Sequence, residues 1–303
     1  MSDGWVDTEL LRNGQLVLRV GPFKIRIQSD IDTVKSGIDV LYRDYPKLSN
    51  DSFCDFYARV FRPSGLRRYL HKQVLFGMDQ TIPFLPLPYS QAYPFFEWGL
   101  NWCISNFAHQ FLIIHAAVVE KQGRALILPG VPGSGKSTLC AALINKGWRL
   151  LSDELALIDC ESGQLVPVPR PVSLKNESIS LINSCFPGND FSPVVHDTLK
   201  GSVSLMKAPL TSVLRANETA APCLVVFPKY QADSSLTLSS LSKGQAFMKL
   251  ADASFNYSIL GADGFDVLAD LVECSSAYDF VYGGDFNAAS DCFEDLLSAG
   301  KHG

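Results

Sequence analysis

The sequence lacks any hydrophobic run long enough to cross a bilayer. The longest apolar stretch, Phe111–Val119, is interrupted by His115, whereas a membrane helix needs about 20 apolar residues. The first residues, Met1–Glu9, are acidic and contain no apolar run, so they do not resemble a secretory signal peptide. These absences predict a cytoplasmic protein with no membrane partner.

Basic charge is also scarce. The 303 residues include 26 Lys and Arg against 31 Asp and Glu, which gives a net charge of −5. A nucleic-acid binder needs a basic stripe that neutralises backbone phosphates. The one basic cluster, formed by Arg67, Arg68, His71 and Lys72, is typical of a solvated helix face. The charge balance therefore argues against a nucleic-acid partner.

Closely spaced cysteine pairs are absent as well. The eight cysteines include no C-x-x-C pair, so we interpret them as buried thiols in a reducing compartment. Internal repeats and low-complexity tracts are missing too. A chain of this length can bury a large core and form one large or two modest domains.

The pattern of apolar residues predicts a smaller mixed α/β N-terminal domain, residues 1–90, and a larger α/β domain, residues 91–303. The first contains a hairpin of Gln15–Val20 and Phe23–Gln28, and it ends in the Pro-rich stretch Ile82–Pro88, which is typical of a linker. In the second, strands are predicted at Leu112–Glu120, Arg124–Leu128, Arg149–Ser152, Leu155–Asp159, Gly201–Met206 and Pro222–Pro228, and helices at Ala92–Phe107, Lys243–Ala253, Gly264–Cys274 and Asp285–Ala299.

The most informative stretch, Gly130 to Thr138, matches the phosphate-binding pattern G-x-x-x-x-G-K-[ST] at every fixed position. An apolar strand at Ala125–Leu128 precedes it and a helix from Lys136 to Lys146 follows, which is the setting that the motif requires. The alternative is a glycine-rich turn that merely precedes a helix. The pattern favours a nucleotide or polyphosphate site.

Each residue type in this loop has a physical role. Glycines permit positive φ and close approach of backbone N–H groups to a polyphosphate, and the helix directs its positive end at the same anion. Lys136 would contact the β- and γ-phosphates, and Ser137 would offer its hydroxyl to Mg²⁺, with Thr138 a weaker candidate. ATP and Mg²⁺ are thus the predicted cofactors. The predicted nucleotide contacts are Gly130, Gly133, Ser134, Gly135, Lys136, Ser137 and Thr138.

Two adjacent acids, Asp153 and Glu154, end the apolar run 148–152. Carboxylates at the carboxyl end of a buried strand share a crevice with a phosphate loop, so either could hold Mg²⁺ or position a nucleophile. Glu154 could instead be a simple solvent contact. Phosphoryl transfer also calls for an arginine at the γ-phosphate, for which Arg170 is the candidate; its alternative is a pair with surface acids. Lys175 is a weaker candidate.

Three segments together resemble the catalytic core of HPr kinase/phosphorylase: His115–Val119, Gly130–Thr138 and Leu143–Glu154. The resemblance implies a serine kinase with a P-loop core similar to that of phosphoenolpyruvate carboxykinase, and a homo-oligomer. Asp153 matches the family's catalytic base, and His115 matches its histidine beside the phosphates. From the residue alone, His115 could equally be a hydrogen-bonded core histidine. Glu154 matches the family's second acid, a candidate metal ligand.

The sequence departs from the classical enzyme at two points. The family's downstream Glu-x-Arg-Gly-Leu-Gly motif is absent, and Glu154 stands where the family has Asp. The segment Val166–Lys175 is similar to a branch of HPr-kinase-related proteins. The sequence therefore predicts a related branch.

The predicted function is ATP-dependent transfer of the γ-phosphoryl group to a serine-like hydroxyl of a protein, peptide or small molecule. One alternative is a P-loop NTPase or nucleotide-sensing regulator that switches a partner. Another is a non-enzymatic binding or assembly protein that keeps the fold. Acceptor-dependent ATP consumption, acceptor-independent phosphate release, or tight binding without turnover would distinguish these three.

Overall fold

The computed structural model describes residues 5–64 and 72–299. Three members of the basic cluster, Arg67, Arg68 and His71, lie outside the described residues. The chain is a mixed α/β protein. Throughout the part that the structure describes, every helix is too short or too polar to span a bilayer.

The helices are α1 (Thr8–Arg12), α2 (Asp32–Leu41), α3 (Ala92–Phe107), α4 (Lys136–Asn145), α5 (Glu177–Cys185), α6 (Leu210–Leu214), α7 (Lys243–Asp252), α8 (Tyr257–Leu260), α9 (Ala262–Cys274) and α10 (Phe286–Ala299). The strands are β1 (Leu16–Val20), β2 (Phe23–Ser29), β3 (Lys47–Leu48), β4 (Phe56–Phe61), β5 (Gln73–Met78), β6 (Leu87–Pro88), β7 (Phe111–Ile114), β8 (Ala116–Lys121), β9 (Arg124–Pro129), β10 (Arg149–Ser152), β11 (Ala156–Asp159), β12 (Leu165–Val166), β13 (Val172–Lys175), β14 (Val195–Thr198), β15 (Gly201–Met206), β16 (Ala221–Tyr230), β17 (Thr237–Ser240) and β18 (Ser276–Tyr282).

The first sheet has the strand order β3-β1-β2-β4-β5-β6. Strands β1 and β2 form the predicted hairpin, with Val20 opposite Phe23. Helix α3 packs against β4 and β5 of this sheet. One cluster of buried apolar residues extends from Val6 to Leu297, so the helix that follows residue 90 shares its core with the first sheet. The division of the chain at residue 90 stays a prediction.

The second sheet has the order β10-β8-β9-β16-β18-β17. Its three central strands, β9, β16 and β18, are parallel. Parallel strands end at the same edge of a sheet, which is where α/β proteins bind ligands. The carboxyl ends at Pro129, Tyr230 and Tyr282 therefore share one edge, and the glycine loop follows directly from β9.

The single strand predicted for Leu112–Glu120 is wrong, because the chain forms two strands that separate at His115. Strand β7 pairs with β11 in a three-stranded sheet, whereas β8 pairs with β9 and β10 in the second sheet. The backbone N–H of His115 instead donates to the carbonyl of Ala253 at 2.8 Å. His115 therefore lies between the two strands and belongs to neither, and its side chain is half-buried.

Candidate functional site

The glycine loop, residues 130–135, joins β9 to α4. Gly133 and Gly135 have φ angles of +87° and +90°, which residues with a side chain rarely adopt. A Cβ atom on Gly130 would lie 2.5 Å from Ser134 Oγ. That hydroxyl oxygen is buried and has no hydrogen-bond partner among the described residues. The first N–H groups of a helix also lack intrahelical partners, so the loop presents unsatisfied polar groups that suit an anion.

Two tyrosines that the sequence analysis did not single out hold the loop in place. The Tyr282 hydroxyl donates to the carbonyl of Gly135 at 3.1 Å, and the backbone N–H of Tyr230 donates to the carbonyl of Ser134 at 3.0 Å. The two rings contact each other edge to face. A Cβ atom on Gly135 would lie 2.6 Å from the Tyr282 hydroxyl oxygen. The strand ends thus fix the backbone of the loop.

Lys136 is buried at the start of α4, and its Nζ lies 2.9 Å from Nε2 of His115. Burial lowers the pKa of His115 to about 4, and the neighbouring Lys136 ammonium adds to this. The imidazole is therefore neutral at pH 7, and a neutral Nε2 accepts a hydrogen bond from the ammonium. Burial also lowers the pKa of Lys136, while the two acids oppose that shift.

Glu154 lies among several basic groups. Its carboxylate is 3.8 Å from Nε2 of His115, and it interacts electrostatically with a lysine trio formed by Lys136, Lys175 and Lys200. Burial raises the pKa of Glu154, but the lysine trio outweighs burial and leaves this pKa below its ordinary value. The three ammonium groups outnumber the two carboxylates, Glu154 and Asp153, so the site favours a further anion.

Asp153 is buried beside this cluster with one oxygen paired and the other free. Its Oδ2 accepts a hydrogen bond from the backbone N–H of Ser173 at 3.0 Å. Its Oδ1 is buried and has no partner of hydrogen-bond geometry among the described residues, although the nearby Ser137 hydroxyl interacts with this carboxyl group and lowers its pKa. Burial raises the pKa of Asp153 to about 6, Glu154 adds to the rise, and Lys136 opposes it. Asp153 thus keeps a free lone pair and a pKa near neutrality, as a general base requires.

Arg170 borders the same cleft as Asp153, but its guanidinium is already paired. Its Nη2 lies 2.6 Å from Oε2 of Glu97, and its Nη1 donates to Oδ1 of Asn101 at 2.6 Å. Burial opposes the charge, but Glu97 and Tyr42 together outweigh burial and raise the pKa of Arg170. Its partner is thus a buried acid on α3 and not the surface acid of the alternative interpretation. Only Nε stays unpaired among the described residues.

The oxygen donors near the loop fit Mg²⁺ better than a metal held entirely by protein. Within residues 5–64 and 72–299, no group of three or more His, Cys, Asp and Glu could hold a metal ion. Mg²⁺ commonly takes one or two protein oxygens and completes its shell with phosphates and water. The free Oδ1 of Asp153 and the hydroxyl of Ser137, which acts on the pKa of Asp153, are such oxygens.

The structure brings most of the predicted residues into one site. Lys136, His115 and Glu154 are neighbours, and Asp153 and Lys175 interact with Lys136 electrostatically. Sequence reasoning missed Lys200, which lies in the turn between β14 and β15. Its only sequence signal is the Lys-Gly pair of a tight turn, and that signal does not tell which carboxylate the lysine faces.

Comparison with known proteins bears on this site. A 60-residue segment is 35% identical to HPr kinase/phosphorylase from Treponema pallidum subsp. pallidum, and equally to that from Treponema pallidum (strain Nichols). The predicted resemblance to HPr kinase/phosphorylase is confirmed. The matched segment makes up 20% of this chain, and the chain spans about a fifth of the curated relatives, 19% of their length.

The likeness to HPr kinase/phosphorylase is partial. No family model matches the chain. The structure of the Hpr(Ser) kinase/phosphatase from Coxiella burnetii aligns with 62% of this chain and 95% of that chain, at 14% identity and a TM-score of 0.30. A match confined to one segment fits a related branch of HPr kinase/phosphorylase better than the classical enzyme.

Proposed function

We propose that this protein is an ATP-dependent kinase, with a P-loop core and Mg²⁺, that transfers the γ-phosphoryl group to a serine-like hydroxyl of a protein, peptide or small molecule. The observation that supports this proposal most is the buried carboxyl group of Asp153. Its Oδ1 has no partner of hydrogen-bond geometry among the described residues, its pKa is about 6, and the group interacts electrostatically with Lys136 of the candidate phosphate site. A group at that pKa is ionised at pH 7 and can accept a proton.

The donor end of the proposed site is the glycine loop with Lys136. Backbone N–H groups at the start of α4 would hold the phosphates, and the ammonium of Lys136 would contact the β- and γ-phosphates. The neutral imidazole of His115 orients that ammonium through the 2.9 Å contact. Lys175 and Lys200 add positive charge on the side of Glu154.

At the acceptor end, Asp153 would take the proton of the attacking hydroxyl. The backbone N–H of Ser173 fixes Oδ2, which leaves Oδ1 to receive that proton. Mg²⁺, held by Ser137 with Glu154, would neutralise charge on the phosphates and leave Oδ1 of Asp153 free for the proton. Arg170 could reach the reacting groups through its free Nε, since its other nitrogens are held by α3.

One observation favours a second candidate, a P-loop NTPase or nucleotide-sensing regulator. The cavity beside Asp153 measures about 20 Å³, which is room for one water molecule. A water held there by Asp153 would be a nucleophile for ATP hydrolysis without a dedicated acceptor. A hydroxymethyl group of an acceptor would have to displace this water.

Radiolabelled ATP incubated with lysate and with peptides encoded beside this protein tests the proposal. Transfer of label that requires an acceptor is expected for the wild type. Asp153→Asn should reduce transfer by about 10²- to 10⁴-fold while nucleotide binding persists, and Lys136→Ala should weaken nucleotide binding itself. Phosphate release that needs no acceptor would favour the NTPase. An active Asp153→Asn variant would refute the assignment of the base.

We also propose a homo-oligomer, which the resemblance to HPr kinase/phosphorylase implies. Sedimentation velocity of the purified chain measures it directly, and a monomer at all concentrations would exclude it.

A further inference from the structure

Two members of the lysine trio, Lys175 and Lys200, form a lysine pair whose ammonium groups lack a bonded partner. Lys175 ends β13, and Lys200 lies in the turn between β14 and β15. Each interacts electrostatically with the other and with Glu154, but neither ammonium group has a hydrogen-bond or ion-pair partner among the residues that the structure describes. The Lys200 ammonium lies over the ring of Trp98, 5.2 Å from its centroid. Two neighbouring positive charges without a bonded partner favour an anion.

The backbone that carries Lys175 is fixed on both sides. The Ser178 hydroxyl accepts a hydrogen bond from the N–H of Lys175 at 2.9 Å and donates one to its carbonyl at 2.6 Å. The next residue, Asn176, has a φ angle of +50°, which residues with a side chain rarely adopt. Strained backbone of this kind persists only where the surrounding structure holds it, and it is concentrated at functional sites. The fold therefore sets the position of Lys175.

The same asparagine holds the turn that carries Lys200. Its backbone N–H donates to the carbonyl of Ser202 at 2.9 Å, and its Oδ1 accepts from the N–H of Ser202 at 3.0 Å. A Cβ atom on Gly201, which follows Lys200, would lie 2.3 Å from this Oδ1. The Thr198 hydroxyl closes the turn, since it accepts from the N–H of Lys200 at 3.0 Å and donates to the carbonyl of Gly201 at 2.7 Å. The backbones of the two lysines are therefore fixed relative to each other.

The lysine pair lies on the side of the catalytic acid. Ser173, whose backbone N–H holds Oδ2 of Asp153, precedes Lys175 by two residues on β13. Residues two apart share one face of a strand and are separated by roughly 7 Å. Lys136, in contrast, belongs to the glycine loop. An anion bound by the lysine pair would therefore lie only a few bonds from a hydroxyl at Asp153.

We propose that the lysine pair binds an anionic group, a carboxylate or a phosphate, of a small acceptor whose hydroxyl lies a few bonds from that group. This inference rests on the proposed kinase function and narrows its acceptor to a small hydroxylated acid. The ammonium groups would hold the anion by charge-assisted hydrogen bonds. The hydroxyl oxygen would bond to the γ-phosphorus, the bond from that phosphorus to the β-phosphate oxygen would break to leave ADP, and Asp153 would take the hydroxyl proton.

Three compounds that share a hydroxymethyl group test this subsite in a transfer assay. Glycerol is uncharged, glycerate carries a carboxylate and glycerol phosphate carries a phosphate. With radiolabelled ATP and Mg²⁺, we expect kcat/KM for at least one of the two anions to exceed that for glycerol by about 10-fold or more. Lys175→Gln and Lys200→Gln should each raise the KM for that anion about 10-fold and leave the KM for ATP near its wild-type value. Lys24→Gln, which removes an exposed lysine of β2, is the matched control.

A binding measurement needs no turnover. Calorimetry with the same three compounds uses protein that is saturated with a non-hydrolysable ATP analogue and Mg²⁺. We expect an anion to bind and glycerol not to bind. Lys200→Gln should weaken the binding of that anion about 10-fold, and Lys24→Gln should leave it at its wild-type value.

The outcomes separate this inference from the function on which it rests. Equal labelling of glycerol and the anions, or equal KM values in Lys200→Gln and Lys24→Gln, overturns the subsite and leaves the kinase standing. Anion binding that Lys200→Gln weakens, without transfer of label to any acceptor, supports the subsite and counts against the kinase. Binding of neither anion overturns the subsite. A raised KM for ATP in the two lysine variants, with an unchanged KM for the acceptor, would assign the lysine pair to the donor phosphates and overturn the proposal.

Discussion

The glycine loop and the cleft beside Asp153 are built in opposite ways. The loop is one continuous segment, and its geometry follows from its own glycines and from the strand ends beneath it. The cleft is assembled from α3, the end of β10 and the segment that leads into β13. The proposed phosphate contacts therefore come mainly from one segment, which Tyr230 and Tyr282 hold in place, whereas the environment of Asp153 is built from several distant segments.

The largest effect is expected from a change at Glu97, which tests whether the surroundings of Asp153 depend on distant residues. This buried carboxylate accepts hydrogen bonds from Arg170, Tyr42 and Tyr93. Glu97→Ala leaves the Arg170 guanidinium buried without its partner, so we expect the free energy of unfolding to fall by about 3–5 kcal/mol. Denaturant unfolding measures this change.

The control for that experiment is Glu9→Ala, which removes an exposed acid paired with the exposed Arg12 and should cost about 1 kcal/mol or less. Because Glu97→Ala could fail to fold, Glu97→Gln serves as a milder variant. It should lower the turnover of the candidate enzyme while nucleotide affinity stays at its wild-type value. Equal losses of turnover and nucleotide affinity would show that the loop and the cleft are one cooperative unit.

The next prediction concerns the stability cost of Asp153. Its pKa is raised to about 6 in the folded state, mainly by burial, so the folded protein binds this proton more tightly than the unfolded chain. The resulting penalty is full above pH 6 and disappears as the pH falls to about 4. Asp153→Asn should therefore stabilise the fold by about 1–3 kcal/mol at pH 8 and by nothing at pH 4.

Thermal or denaturant unfolding at the two pH values measures this difference. A variant that is less stable than the wild type at pH 8 would mean that the ionised acid stabilises the fold.

The same pKa predicts how turnover depends on pH. A base must be ionised to accept a proton, so kcat/KM should fall about 10-fold per pH unit below pH 6. Steady-state rates between pH 5 and 8, with a stability check at each pH, provide the test. A flat profile down to pH 5 would remove Asp153 from the role of base.

The smallest expected effect concerns the stability cost of alanine at two glycines of the loop. Gly133 and Gly135 share the same positive φ, but only a Cβ on Gly135 meets a neighbour, the Tyr282 hydroxyl, while nothing lies within 4 Å at Gly133. Both alanine variants should therefore lose about 1 kcal/mol from backbone strain, and Gly135→Ala should lose more through the displaced tyrosine. The free energies of unfolding of the two variants measure the difference. Equal losses of stability would argue against tight packing of Gly135 against Tyr282.

The elements that could be predicted are those specified by a pattern within one short stretch of sequence. The strand before the glycine loop and the helix after it are confirmed as β9 and α4, since apolar periodicity and glycine spacing specify them. The break at His115 could not be predicted, because the apolar run continues through it. The interruption comes from a hydrogen bond to Ala253, more than 130 residues away in sequence.

The electrostatics of the site were harder to predict for the same reason. Arg170 was expected to face the phosphates, but the position of Glu97 on α3 directs most of its nitrogens elsewhere. Lys200 joins the site only because β15 pairs with β13 and carries the turn towards Glu154. The catalytic role of these residues stays a prediction.

The turn of the first hairpin supports the segment that carries Arg170. Gly21 approaches the carbonyl of Pro167 so closely that no Cβ fits between them, and the Tyr45 hydroxyl donates to the carbonyl of Pro169. The N-terminal region thus supports one wall of the candidate cleft. A displacement of the first hairpin would be transmitted to that segment, and so to the surroundings of Asp153, without any direct contact with the glycine loop.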